Sequence, residues 1–471
     1  MSNAMLEKVA NDSAITGFGS HSVKEVEELQ KALSISQNYG SSAPNTLVGG
    51  SALSVEDLDR TLKIVTYGLE HLKLWKDIIK EKVTQAVGEF NVQGSYGAEV
   101  SPFFAMGGNP TATDADYNRQ IYQVKYLGVQ AQVQHNLTLI QAAHGPVVAR
   151  EVKNKTVELL GKNERALFEA DSSINALEYD GIFAQIVEKE ALSAFKSTAF
   201  AGYDEAGVND SVIIDSRAMF DEEVAEDAAL MNANNFGMAM DMYIGTDVHS
   251  KFSKAIYNRQ RTVPGAVITS GQRIKEHSGT LDYRFKPSLF CRGRKSPLAV
   301  AVSASAAPTT AGMASPADAA SEFAAADAGN YSYRISAVYS DGETLASIAE
   351  GFAVSAGDKV TDIITYAGSP LYFNVFRAPV GTVLNHKFIG RIAASASGAT
   401  YNIDYNSFLP GADKAYLLMN DPDVLVFKQL GSLIKYDLAV TDTSYKWLQL
   451  MYGTPLISAA RKCVVVKNIV D

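Results

Sequence analysis

Between Val83 and Tyr122 the sequence loses the periodicity that builds a compact core, although strongly patterned segments stand on either side. The stretch holds Gly94, Gly97, Gly107, Gly108, Pro102 and Pro110, with aromatic residues at Phe90, Tyr96, Phe103 and Phe104 and a methionine at Met106. Compact domains rarely contain irregular segments of this length without a functional reason. A long hairpin arm that packs on another chain accounts for it, because a lone two-stranded hairpin is marginal in water until a partner covers its apolar face. Phe90, Tyr96, Phe103, Phe104 and Met106 are therefore the candidate inter-subunit contacts. Gly107-Gly108-Asn109-Pro110 lacks the lysine and the following helix of a phosphate loop and reads as a tight turn.

The flanks are more regular. Met1 to about Ser54 is polar, with one short helical spacing at Val26, Leu29 and Leu33, and reads as an extended arm or a disordered tail. Ser54 and Asp57 form a variant capping box. The helix predicted after it carries Leu58, Leu62, Val65, Leu69 and Leu72 on one face and ends near Trp75 and Ile78. Val129, Ala131 and Val133 alternate with Gln130, Gln132 and Gln134, the pattern of a half-buried strand. Pro146 to Ala170 reads as a long amphipathic helix with Val148, Val152, Leu159, Leu160 and Leu167 in one stripe. Helices are predicted over Glu222–Asn232 and Val248–Arg259, and a strand over Met240–Gly245.

Near Ser296 the composition shifts. Ala299 to Ala326 is rich in Ala, Ser and Thr and reads as a spacer. Alternation at Tyr331, Tyr333, Ile335, Ala337 and Tyr339, a turn at Ser340–Glu343, and short strands over Leu371–Arg377, Phe388–Ile392 and Tyr401–Tyr405 suggest a small sandwich. Mixed strand and turn resume from Ala415 to Val470, with a strand at Val464-Val465-Val466. This last piece, about sixty residues, is small to fold alone. The order is α+β, then all-β, then α+β, so the β segment is expected to be an insertion in a first domain that the C-terminal segment completes.

The chemistry of catalysis is missing. There is no phosphate-binding lysine loop, no dinucleotide fingerprint, no His-Glu-x-x-His and no nucleophile elbow. The closest histidines, His135 and His144, lie nine apart across a strand-to-helix junction, and solvent contact or a satisfied core imidazole is the default reading over a metal site. Cys291 lies between Phe290 and the Arg292-Gly293-Arg294 run, which could depress a thiol pKa, but a packed thiol is the simpler reading. The acidic run Asp221-Glu222-Glu223, with Glu226-Asp227, reads as a solvated helix face. No catalytic residue, cofactor or metal is expected. A net charge of −10 argues against wrapping nucleic acid but allows a container whose wall tolerates it. Two cysteines in 471 residues exclude a disulfide scaffold and suit a reducing cytoplasm. Neither a membrane-spanning apolar run nor a secretory pattern is read.

Several ordered segments carry a resemblance. They are Leu72-Lys73-Leu74-Trp75-Lys76-Asp77-Ile78, Val124-Lys125-Tyr126-Leu127-Gly128-Val129, Leu177-Glu178-Tyr179-Asp180-Gly181-Ile182, Tyr243-Ile244-Gly245-Thr246-Asp247-Val248 and Leu450-Met451-Tyr452-Gly453-Thr454-Pro455-Leu456. In this order and spacing they resemble the major capsid proteins of tailed bacteriophages, with the Hong Kong 97-type fold, most nearly the Twort-like large-myophage group. Tyr331 to Tyr339 with Asp341-Gly342-Glu343-Thr344, and Tyr372-Phe373-Asn374-Val375-Phe376-Arg377, resemble a fibronectin type III or immunoglobulin-like module.

The resemblance implies an α+β capsid fold with an inserted all-β immunoglobulin-like sandwich. Its parts would be an N-terminal arm and helix over 1–78, an extended hairpin loop over 79–123, and peripheral and axial domains over 124–295. The insert would span 296–410, and a C-terminal segment over 411–471 would complete the core. It further implies pentamers and hexamers of one chain, portal, scaffold and decoration proteins as partners, and packaged double-stranded DNA contacted non-specifically. Assembly would occur in the bacterial host cytoplasm, with the protein ending in the virion capsid. Some family members cross-link through a lysine on the extended loop. No lysine lies between Lys82 and Lys125 here, so shell strength is expected from non-covalent burial. The rival readings are an encapsulin-like compartment shell and, in a different class, a hydrolase with a fibronectin-like accessory domain.

Overall fold

A 23-residue helix, Val147–Glu169, is the spine of the protein. At about 1.5 Å per residue it is long enough to serve two layers, and its apolar stripe does so. Val147, Val148 and Val152 pack on Ala131, Val133 and Trp447. Leu159, Leu167 and Phe168, further along, enter the main core. The structure is a computed structural model that describes residues 64–97, 100–140, 145–192, 195, 211–260, 276–294, 296–440 and 442–470. Apart from Ile64, Gly145 and Pro146 these belong to one unit.

A five-stranded sheet lies against the first half of the spine. Its centre is the 14-residue strand Ser444–Ile457. One edge of that strand pairs antiparallel with Lys125–Gln134, from Ser444↔Gln134 to Gly453↔Lys125. Its other edge pairs with Ile434–Asp437 and Leu425–Gln429, and Leu425–Gln429 pairs in parallel with Ile79–Lys82. Buried Gln449 fixes the helix on the sheet by donating to the carbonyl of Val152 at 2.9 Å.

A six-stranded sheet follows the order Ile213–Asp215, Val464–Ile469, Asp413–Leu418, Asp241–Gly245, Tyr283–Ser288 and Glu276–His277. Every residue of Asp241–Gly245 is buried, as expected for a central strand covered on both faces. The rings of Tyr243 and Tyr416 meet Phe168 of the spine at 6.1 and 5.1 Å. The helices Glu222–Asn234 and Thr246–Gln260 complete this α+β body.

The helix predicted from Ser54 to Ile78 is not what the structure builds beyond Ile64; residues 54–63 lie outside the described ones. A single 3-10 turn at Leu69–His71 and a short helix at Lys73–Asp77 lead into the strand at Ile79. Val65, placed on the apolar face by spacing, is 99% exposed, whereas Leu72, Leu74 and Ile78 are buried. The reason is tertiary. Glu164, buried on the spine, accepts hydrogen bonds from the backbone of Leu74 at 2.9 Å and Trp75 at 2.7 Å. This carboxylate satisfies the free amides of a new helix start and interrupts the expected one. Burial pushes its pKa up, although the backbone donors oppose the shift.

Residues 309–404 form two further sheets. One has the order Gly342–Glu343, Gly329–Tyr339, Tyr372–Arg377, Lys387–Ala393, with Glu350–Val354 also on Gly329–Tyr339. The other has the order Ala399–Asp404, Val360–Thr365, Thr309–Ala314. Tyr331, Tyr333, Ile335, Phe373, Val375, Ile364 and Tyr401 share a core of their own. The stretch expected to be a spacer thus contributes a strand, Thr309–Ala314, and two strands at Glu350–Val354 and Val360–Thr365 went unpredicted. At the centre Arg377, 2% exposed, pairs with Asp404 at 2.5 Å and donates to Asn406 at 2.9 Å. Three arginines tie this β module to the body. Arg217 bonds Glu322 and the carbonyl of Asn406, Arg391 pairs with Glu178 at 3.0 Å, and Arg294 pairs with Glu343 at 2.7 Å.

Candidate assembly surface

The hairpin predicted from composition is Val87–Ser95 paired antiparallel with Asp116–Gln123, in register from Val87↔Gln123 to Gln93↔Tyr117, with a shift before Ser95↔Asp116. It is a two-stranded sheet of its own. Alternation divides its faces. Gly88, Phe90 and Val92, with Asn118, Gln120 and Tyr122, are half-buried, whereas Val87, Tyr117 and Ile121 lie on the exposed face. A Cβ at Gly88 would meet the Tyr122 ring at 2.3 Å, so a larger residue there would displace that ring. The Glu89–Arg119 pair at 3.3 Å is solvent-exposed, and such pairs contribute at most about 1 kcal/mol. Little within the hairpin holds it together.

At its root Val124 donates to the carbonyl of Ala86 and Val83 to that of Gln429, both at 2.8 Å. Phe90 lies 6.5 Å from Tyr122 and beneath the ammonium of Lys189 at 5.5 Å. Lys189 donates to Gln185 Oε1 at 3.0 Å and the Ile457 carbonyl at 2.6 Å. Burial lowers its pKa to about 8, against the opposing pull of Glu188 and Asp180.

The tip is different. Residues 100–114 are all exposed. Tyr96, Phe103 and Met106 are almost wholly open at 93%, 89% and 106%, and Phe104 is 59% exposed. Gly107, at φ +87°, sits in the turn closed by Gly108 donating to Ala105 at 2.8 Å. The structure therefore gathers Tyr96, Phe103, Phe104 and Met106 on the open end and places Phe90 apart, against the chain's own body. Covering each of the tip's large side chains would bring roughly 1.5–3 kcal/mol. That is enough to matter, and the described residues of the chain do not supply it.

Cys291 is buried, and burial pushes its thiol well above its ordinary value. Its neighbours do not serve it, because Arg292 pairs with Asp247 and Arg294 with Glu343, each at 2.7 Å. Asp221 caps a helix, accepting from Val224 at 3.0 Å, so the acidic run is a helix start with exposed glutamates behind it. His135 stacks near Tyr445 at 5.8 Å, and His144 lies outside the described residues. Among the described residues no group of three or more His, Cys, Asp or Glu could hold a metal ion, and no helix is long and apolar enough to cross a membrane.

The described residues form a packed body and a hairpin whose tip they leave open. No protein-family model matches the chain. It is 21% identical over 449 residues to the putative major capsid protein of Enterococcus phage phiEF24C, covering 90% of this chain and 92% of that one. It is 23% identical over 455 residues to the major capsid protein of Staphylococcus phage S25-3, with the same shares covered. Among solved structures it is similar to the capsid of a native GTA particle, at TM-score 0.47, 8% identity, 90% of this chain and 99% of that one. It is also similar to an encapsulin complex from Synechococcus elongatus, at TM-score 0.38, 8% identity, 88% and 96%. The chain is a homologue of phage major capsid proteins over nine-tenths of its length.

Proposed function

We propose that this chain is the major capsid protein of a tailed phage, tiling an icosahedral head as pentamers and hexamers. The observation that carries the reading is homology to phage major capsid proteins along 90% of the chain. The open hairpin tip supports it. Tyr96, Phe103, Phe104 and Met106 are the inter-subunit anchors in this reading, and Phe90 is a root contact that aims the hairpin. Head-to-tail contacts between identical subunits form rings when the rotation closes, and interfaces of obligate size bury roughly 2,000–5,000 Å². The role is structural, and the protein resides in the virion capsid. Portal, scaffold and decoration proteins are its further partners, and packaged double-stranded DNA touches its inner wall non-specifically. The β module, 296–410, is an inserted immunoglobulin-like decoration of the subunit.

Electron microscopy of the purified protein tests the reading. Closed shells or hexameric sheets are expected, and a monodisperse monomer at high concentration, its hairpin tip protected from hydrogen exchange, overturns it. Shells that enclose protein cargo and never DNA would assign the chain to the encapsulin-like alternative.

A further inference from the structure

Where the β module meets the end of the spine helix there is a cavity of about 320 Å³, within the usual range for small-molecule sites. Much of its wall is apolar, including Phe183, Phe388, Ile403 and Phe408. Most of its charged groups are already committed. Asp404 serves Arg377 and Tyr333, Asp413 accepts from the Gly293 amide, Asp171 accepts from Ser173, and Arg391 is held by Glu178 and the Glu169 carbonyl.

Two groups remain. The Lys414 ammonium lies over the Phe183 ring at 3.7 Å and the Phe408 ring at 4.8 Å, and makes no hydrogen bond or ion pair among the described residues. Glu169 also lines the cavity, and its side chain makes no hydrogen bond or ion pair among the described residues. An ammonium carries three donors, so the Lys414 head group on this wall can take the carboxylate of a ligand. Burial lowers the Lys414 pKa to about 8; Glu169 and Asp171 pull it up, while Arg391 and Lys467 push it down. Lys414 and Glu169 feel each other across the cavity without touching.

We propose that this cavity binds a zwitterionic small molecule, an α-amino acid with an apolar side chain. Its carboxylate takes Lys414, its ammonium takes Glu169, and its side chain lies among Phe183, Phe388 and Phe408. A simple anion would satisfy Lys414 and leave Glu169 unpaired. A simple amine would do the reverse. The proposal stands apart from the assembly reading and does not need it.

The test is calorimetric titration of the purified full-length chain at pH 7 with leucine, and with two half-analogues, 4-methylpentanoate (carboxylate only) and 3-methylbutylamine (ammonium only). Leucine is expected to bind one saturable site, with each half-analogue at least about tenfold weaker. Lys414→Met and Glu169→Gln should each weaken leucine by about tenfold or more, with unfolding temperatures kept in the ligand-free state. Absence of saturable binding at millimolar leucine overturns the proposal. So does a half-analogue that matches leucine, or a Lys414→Met protein that binds as well as the parent. Should either variant fail to fold, the half-analogue comparison on the parent chain decides alone.

Discussion

The hairpin tip and the six-stranded sheet are built from similar residue types and end in opposite environments. Phe168, Tyr243 and Tyr416 are fully buried against one another. Phe103, Phe104 and Tyr96, no less apolar, face water. What separates them is the number of covering layers. The sheet is six strands wide with helices on its faces, whereas the hairpin is two strands and, among the described residues, nothing lies above its tip. Apolar content alone therefore does not say whether a segment belongs to its own fold or to a neighbour's. The layers around it do.

Phe168→Ala empties a contact between the spine and the sheet and should cost about 3–5 kcal/mol in chemical denaturation of the unassembled subunit. Asp404→Ala in the β module should cost about 3–5 kcal/mol, because it leaves Arg377 charged and buried without its partner. Retained module stability in that variant would mean that the charge pair is dispensable. Glu164→Ala strips two backbone amides of their acceptor and should cost about 1–3 kcal/mol, with faster hydrogen exchange at Leu74 and Trp75 as the local readout.

A gentler effect is pH-dependent. Burial, aided by the charge of Glu350, pushes the Asp362 carboxyl up to about 6. A carboxyl held above its unfolded value binds its proton more tightly when folded. Its contribution is therefore whole below about pH 4 and lost as pH rises through about 6. Asp362→Asn should gain on the order of 1 kcal/mol at pH 7, after allowance for solvent screening, and nothing at pH 4. The smallest change in subunit stability, within about 0.5 kcal/mol, is expected for Phe103→Ser with Phe104→Ser, which should nevertheless abolish shells in electron micrographs. A loss of subunit stability comparable to that of Phe168→Ala would place the tip in the core and dissolve the contrast.

Much of this arrangement was legible in the sequence. The spine stripe, the alternating strand before it and the irregular hairpin announced themselves because their patterns are local. Phe90 did not, because its assignment depends on Lys189, a residue about a hundred positions away. Beyond Ile64 the expected helix gives way for a similar reason: Glu164 captures Leu74 and Trp75 from afar. Thr309–Ala314 and Val360–Thr365 escaped notice because they pair with register shifts, and the first contains Gly312 at φ +89° and little besides small residues. The Lys414–Glu169 cavity has no sequence signal at all, since its walls come from both sides of the β module.

The strand Ser444–Ile457 bridges Lys125–Gln134 to Leu425–Gln429 and so supports the base from which the hairpin springs. A ribosome has to translate past codon 457 before that base can close. Nascent or prematurely terminated chains lack a finished platform, and production of the polypeptide is thereby separated in time from its polymerisation.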